Sequence, residues 1–152
     1  MMLYLIQHGI SVPEEQDPKK PLSEEGKTET RETARFLKER GVKVDSIWHS
    51  AKTRSVQTAQ IISEAVTHSK IAERDDLNPN DPVNKLQAEL KKLNTDVMIV
   101  GHLPFLPKLA SALLAGTENP GLISFRNSGV VCLEFREKEG WRLSWSLPPE
   151  MM

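Results

Sequence analysis

The chain has one cysteine, Cys132, among 152 residues. No disulfide framework is possible within one such chain, and the run Val130-Val131-Cys132-Leu133 makes the thiol a small buried hydrophobe. There is no excess of either charge: 20 Lys and Arg stand against 21 Asp and Glu, a formal net charge of −1. The signs are interspersed, so no global field favours nucleic acid or a membrane surface. No apolar stretch approaches a membrane span. The N-terminus lacks a basic region followed by an apolar segment and a small-residue cleavage site. Its apolar residues are expected to stay in the fold as a strand, in a soluble cytoplasmic protein. No internal repeat or low-complexity segment is evident. The length fits one domain over 1–152.

What is present alternates between short strand-like runs and longer helical patterns. Residues 2–7 read as a buried strand, and 10–21, with Pro13, Pro18 and Pro21, as a loop. Ser23 opens a helix, with Glu24 and Glu25 at the positive end of its dipole, and Gly41 stops it. Residues 44–48 are a second strand. Arg54 to about Val66 is helical, 71–73 a short strand, and 75–82 a loop. Val83 to Leu93 is a helix and 97–101 a central strand. A helix after Pro104 and Pro107 runs to Gly116, and 130–135 and 141–146 pair around the turn at Glu137 to Gly140. This order predicts an α/β fold: a three-layer α/β/α sandwich whose central sheet is mostly parallel, with an antiparallel strand near the C-terminal end.

Two strand-like runs end in histidine. Met2 to Gln7 leads into His8-Gly9, and Asp96 to Gly101 leads into His102. Ligand sites of open α/β sheets lie just past the carboxyl ends of such strands. Two imidazoles delivered there argue for chemistry more strongly than either alone. Ser50 to Arg54 follows another strand end, and Lys20 lies in the loop after the first strand. A neutral imidazole is a good nucleophile toward phosphorus, and Arg54 and Lys20 supply charge for phosphate oxygens. Their proximity would also keep His8 unprotonated. His102 is placed to hydrogen-bond a non-bridging oxygen. Phosphoryl transfer needs mainly positioning and charge neutralisation, so the set suffices without a metal or other cofactor. Each residue has a plainer alternative: Arg54 begins a helix and can cap or pair on the surface, and a loop lysine is usually solvated. His49 and His68 read as surface or structural. With one cysteine and no HxH or HExxH spacing, no metal site is expected.

These segments resemble a known family. Leu5-Ile6-Gln7-His8-Gly9 resembles the LxRHG signature of the histidine phosphatase superfamily, also called the phosphoglycerate mutase-like superfamily. Pro21 to Gly26 resembles its PLTxxG element, Ser50 to Ala59 its SPxxRAxQTA element, and Val100 to Pro104 its second-histidine motif. The short length, the Gly101-His102-Leu103-Pro104 form and the tail Trp145 to Pro149 look most like the SixA-type bacterial phosphohistidine phosphatases. The resemblance implies His8 as phosphorylated nucleophile, with Arg54 and His102 as catalytic partners in the phosphate pocket. Gln7, Lys20 and Gly9 are the expected substrate-binding residues, with Gln7 and Lys20 at the rim. Lys20 falls where the small phosphatases commonly carry an arginine.

Two departures set further expectations. Gln7 replaces the motif arginine, and an amide donates hydrogen bonds without charge. Reduced phosphate affinity and turnover follow. Pro79, in Asp76 to Asp81, occupies the place of the glutamate or aspartate that serves the larger enzymes as general acid; Asp76 and Asp81 are its possible substitutes. An enzyme lacking that acid favours leaving groups that need little help, such as phosphohistidine. The leading expectation is a metal-independent protein phosphohistidine phosphatase. Its partner is then a phosphorylated protein on a separate chain, such as a histidine-containing phosphotransfer domain. A small-molecule phosphomonoesterase of the same fold and a non-catalytic phosphate-binding pseudophosphatase are the alternatives.

Overall fold

Consecutive residues of an extended strand face opposite sides, and the N-terminal apolar run feeds two cores accordingly. In the computed structural model, which describes residues 1–152, β1 (Met2–Gln7) sends Leu3 and Leu5 into one apolar cluster and Tyr4 and Ile6 into another. Leu3, Leu5 and Ile6 are fully buried, each worth about 1.5–3 kcal/mol of transfer free energy. The remaining elements are α1 (Glu24–Glu39), β2 (Lys43–His49), α2 (Thr53–Ser63), β3 (Thr67–Glu73), α3 (Asn84–Lys92), β4 (Val97–Gly101), α4 (Phe105–Ala115), β5 (Val130–Arg136) and β6 (Gly140–Leu147). A 3₁₀ turn at Pro149–Met151 follows. No helix is long and apolar enough to cross a membrane.

One sheet holds all six strands in the order β3-β2-β4-β1-β5-β6. The first four pair in parallel, and β5 runs antiparallel to both of its neighbours. Leu86 and Leu90 of α3 and Phe105, Leu106 and Leu109 of α4 cover one face. Ala34 and Leu37 of α1 and Ala59 and Ile62 of α2 cover the other. The three-layer α/β/α sandwich is therefore observed, with its antiparallel strand near the C-terminal end. Cys132 is buried among the residues of the second cluster.

Local signals in the sequence account for the helix ends. The Ser23 hydroxyl accepts the Gly26 N–H at 3.0 Å, closing the first turn of α1. Gly41 has φ of +66° and Gly116 +71°, left-handed conformations suited to the ends of α1 and α4. Two boundaries differ from the sequence expectation by more than one residue. β3 starts at Thr67, four residues before residue 71, because its polar beginning pairs with β2 through backbone bonds at the sheet edge and needs no apolar side chains. α2 ends at Ser63, short of Val66.

Candidate active site

The register of the sheet brings the two strand-end histidines together. β1 and β4 are parallel neighbours, with Gln7 opposite Gly101. His8 and His102 therefore leave the sheet side by side, with ring centroids 5.1 Å apart. The His8 N–H still bonds the Gly101 carbonyl at 3.0 Å, so its backbone is held by the sheet. On the other side the Asn127 amide donates to the His8 carbonyl at 2.9 Å.

The protonation of His8 follows from its contacts. Its Nδ1 lies 2.8 Å from the Gly9 carbonyl oxygen. A carbonyl only accepts, so Nδ1 carries the proton and Nε2 the lone pair. The Arg54 Nε–H, in the first turn of α2, donates to that Nε2 at 3.2 Å. A guanidinium therefore stands where the lone pair points, ready to turn to a phosphoryl oxygen. Burial lowers the His8 pKa to about 4, and Arg54 and Lys20 push the same way against the Gly9 bond. His102, 1 % exposed, is lowered to about 3 by burial, then by His8, Arg54, Lys52 and Lys20. Both rings are neutral at pH 7.

A pH dependence follows. Both folded pKa values lie below the ordinary 6.5, so between 6.5 and the folded values the unfolded chain binds more protons. The stability held by the neutral rings is complete above pH 6.5 and is lost as pH falls toward 4 and then 3. Melting temperature should decline over that window, less steeply in His8→Ala. With His8 as nucleophile, kcat/KM corrected for substrate ionisation should stay level down to about pH 5, with its acid limb near 4. An acid limb near 6.5 would contradict this environment.

The other expected residues are placed as follows. Lys20 is half-buried, with φ of +48°, immediately before Pro21. It is near enough to depress both histidines. Gly9 has its N–H committed to Thr58 Oγ1 at 2.9 Å, and its carbonyl orients His8. A Cβ there would stand 2.7 Å from Thr30 Oγ1. Its visible work is to pack the His8 loop onto α1. Gln7, expected at the rim, is 7 % exposed, and its Oε1 is buried without a partner. Gln7 follows Leu3 and Leu5 onto one face of β1, and helices cover both faces of this central strand. His49 is buried at the end of β2, with its Nδ1–H donating to the Ser50 carbonyl at 2.9 Å, and His68 lies on the edge strand. Neither contacts His8 or His102.

Asp76 is not free to act as an acid. The Arg74 guanidinium grips it at 2.9 and 2.7 Å, and that bonding holds its carboxyl below the usual carboxylate range. Arg74 also pairs with Glu89 and stacks over Trp48. Asp81 accepts the Asn78 N–H at 2.8 Å. Sequence reasoning gave no role to four groups at the site: Ser50, whose Oγ lies 2.6 Å from His102 Nε2, Lys52, Thr58 and Asn127. Ser50, Lys52 and Thr58 lie within the quoted Ser50 to Ala59 segment. Asn127 lies in no recognisable pattern.

Comparison with known proteins bears on the fold and the family. Phosphohistidine phosphatase SixA of Escherichia coli (strain K12) is 24% identical over 155 residues, covering 98% of this chain and 94% of that protein. A solved structure of the protein histidine phosphatase SixA complexed with tungstate superposes with a TM-score of 0.86 at 23% identity, over 99% of both chains. A phosphoserine phosphatase from Entamoeba histolytica shares the fold more distantly, with a TM-score of 0.73 at 17% identity over 99% of this chain and 98% of that one. The family model for the histidine phosphatase superfamily (branch 1) matches residues 3–81, which is more than half of the chain and carries His8 and Arg54. On that match the chain belongs to the histidine phosphatase superfamily.

Proposed function

We propose that the protein is a metal-independent phosphatase that hydrolyses phosphohistidine on a partner protein through a phospho-His8 intermediate. The observation that carries the reading is the His8 ring, with Nδ1–H tied to Gly9 and Nε2 facing Arg54. In the first step His8 Nε2 forms a bond to phosphorus as the P–N bond breaks to a substrate imidazole already protonated on its other nitrogen, which leaves as neutral histidine. Arg54 neutralises charge on the non-bridging oxygens and the neutral His102 ring hydrogen-bonds one of them, with Lys20 and Lys52 adding to the field. In the second step water attacks phosphorus, the bond to Nε2 breaks, and inorganic phosphate leaves with His8 neutral again. No three His, Cys, Asp or Glu side chains group as a metal-ligand set. The partner is a phosphorylated protein such as a histidine-containing phosphotransfer domain, and a cytoplasmic setting belongs to the same reading.

The substrate preference rests on the missing acid. Asp76 is held ionised by Arg74, and Pro79 stands where a carboxylic acid would. General acid assistance is typically worth about 10²–10⁴-fold. Turnover should therefore fall steeply from a phosphohistidine peptide or aryl phosphate to an alkyl phosphate. Measuring kcat/KM across leaving groups tests this. A flat dependence would show an acid at work and favour a small-molecule phosphomonoesterase.

The buried, uncharged Gln7 favours a second reading, a protein that binds phosphate without turning it over. Gln7→Arg separates the two. A hydrogen bond to a charged group is worth about 1.5–3 kcal/mol, and roughly 1.4 kcal/mol is tenfold in rate. An active wild type should gain about tenfold in kcat/KM, with tighter inhibition by vanadate. A gain from no measurable baseline would favour the pseudophosphatase. No gain with the fold intact would mean that Lys20 or Lys52 already supplies the charge.

A further inference from the structure

Ser50 opens the loop between β2 and α2, is fully buried, and its hydroxyl makes two bonds. It accepts the Lys52 N–H at 3.4 Å and lies 2.6 Å from His102 Nε2. Its own N–H donates to Ser55 Oγ at 3.2 Å, and Ser55 Oγ donates to the Val100 carbonyl at 3.0 Å, two residues before His102. Ser50 and His102 are thus fixed to each other through α2 and β4. The other ring nitrogen, His102 Nδ1, is buried and has no partner.

The proton on this pair follows from a count of donors and acceptors. The Ser50 hydroxyl hydrogen has one acceptor within its bonds, His102 Nε2. If Nε2–H donated to Ser50 instead, the buried Ser50 proton would have none, and buried polar groups in native proteins are nearly always satisfied. Ser50 therefore donates, and Nδ1 must carry the proton of a neutral ring. That leaves one buried N–H without a partner, on a ring whose centroid lies 5.1 Å from that of His8.

We propose that Ser50 is a positioning residue: it holds His102 as the Nδ1–H tautomer, so that Nδ1–H is the ring donor presented to a non-bridging phosphoryl oxygen. The catalytic consequence rests on the phosphatase reading above, whereas the tautomer does not. The depressed pKa of His102 gives the tautomer its importance, because a neutral ring donates through one nitrogen only. Without the serine both tautomers become accessible, and the one protonated on Nε2 turns a lone pair toward an anion.

The test combines kinetics with ring ¹⁵N resonances of His102 in labelled protein, with and without inorganic phosphate. In the wild type, Nδ1 should show the protonated shift and Nε2 the unprotonated one, and phosphate should move the Nδ1–H signal. Ser50→Ala should mix the tautomers and lower kcat about tenfold to a hundredfold, with KM changed less. That loss sits at or below the roughly 10²–10³ of deleting an oxyanion donor outright. Ser50→Thr, which keeps a hydroxyl, should restore the Nδ1–H signature and part of kcat. A wild-type His102 protonated on Nε2 would overturn the proposal, and this result needs no variant to fold. So would a folded Ser50→Ala with unchanged tautomer and kcat. A wild type without turnover, but with an Nδ1–H tautomer that Ser50→Ala disperses, would sink the phosphatase reading and leave the positioning role standing.

Discussion

Replacing His8 by alanine is expected to lower turnover by roughly 10⁴–10⁶-fold while leaving the fold in place. The magnitude is the scale seen when a covalent nucleophile is deleted and binding groups remain. The fold should survive because the sheet holds His8 by its backbone: its N–H bonds Gly101 and its carbonyl accepts from Asn127. Alanine keeps both bonds and removes only the imidazole, with its Nδ1 link to Gly9 and its Nε2 contact to Arg54. Steady-state rates on a phosphohistidine peptide, with a thermal melt of each protein, check the result. A His8→Ala protein that turns over within tenfold of wild type would contradict the account.

The second large effect is on stability. Gly26→Ala is expected to destabilise the protein by about 3 kcal/mol or more. Helix propensity alone argues the reverse, since alanine is better than glycine within a helix by about 1 kcal/mol. Contact decides the sign. A Cβ on Gly26 would stand 2.1 Å from the Ile10 carbonyl oxygen and 3.0 Å from its carbon and nitrogen, all backbone atoms that cannot swing aside. Ser23 pins that carbonyl, with its N–H at 2.9 Å and its hydroxyl at 3.2 Å. Ile10 lies two residues past His8, so displacing it also disturbs the nucleophile loop. Gly41→Ala is the control. It has a positive φ but open space around it, and should cost only about 1–2 kcal/mol. Denaturant unfolding of both variants tests the difference. A stabilised Gly26→Ala would show that the loop does not rest on α1.

The strand ends were legible because β1 and β4 are short, apolar but for Gln7 at the end of β1, and followed at once by histidine. Their adjacency in the sheet was not, since a crossover through 89 intervening residues leaves no local trace. That adjacency is what makes two histidines one site. Gln7 was recognisable as a departure from a motif, yet its burial follows from the covering of both faces of β1 by helices distant in sequence. The early part of β3 was missed because edge strands pair through their backbones, and Thr67 to Lys70 carries no apolar signal. Asn127 and Ser50 reach their partners across 119 and 52 residues. Hydrogen bonds at such separations have no periodicity to read. Asp76 looked like a spare acid until Arg74, two residues away, was found to hold it.

The central claim is that a phosphoryl group passes through His8 Nε2. Its most direct test is to mix the protein with phosphohistidine peptide or a phosphoramidate donor, quench in alkali within one turnover, and map the modified peptide. The account predicts one phosphoryl group on His8, stable to alkali, lost in acid, formed equally in EDTA, and absent from His8→Ala. A phosphoryl group on a serine, stable to acid, or full single-turnover hydrolysis with His8 never labelled, would contradict it.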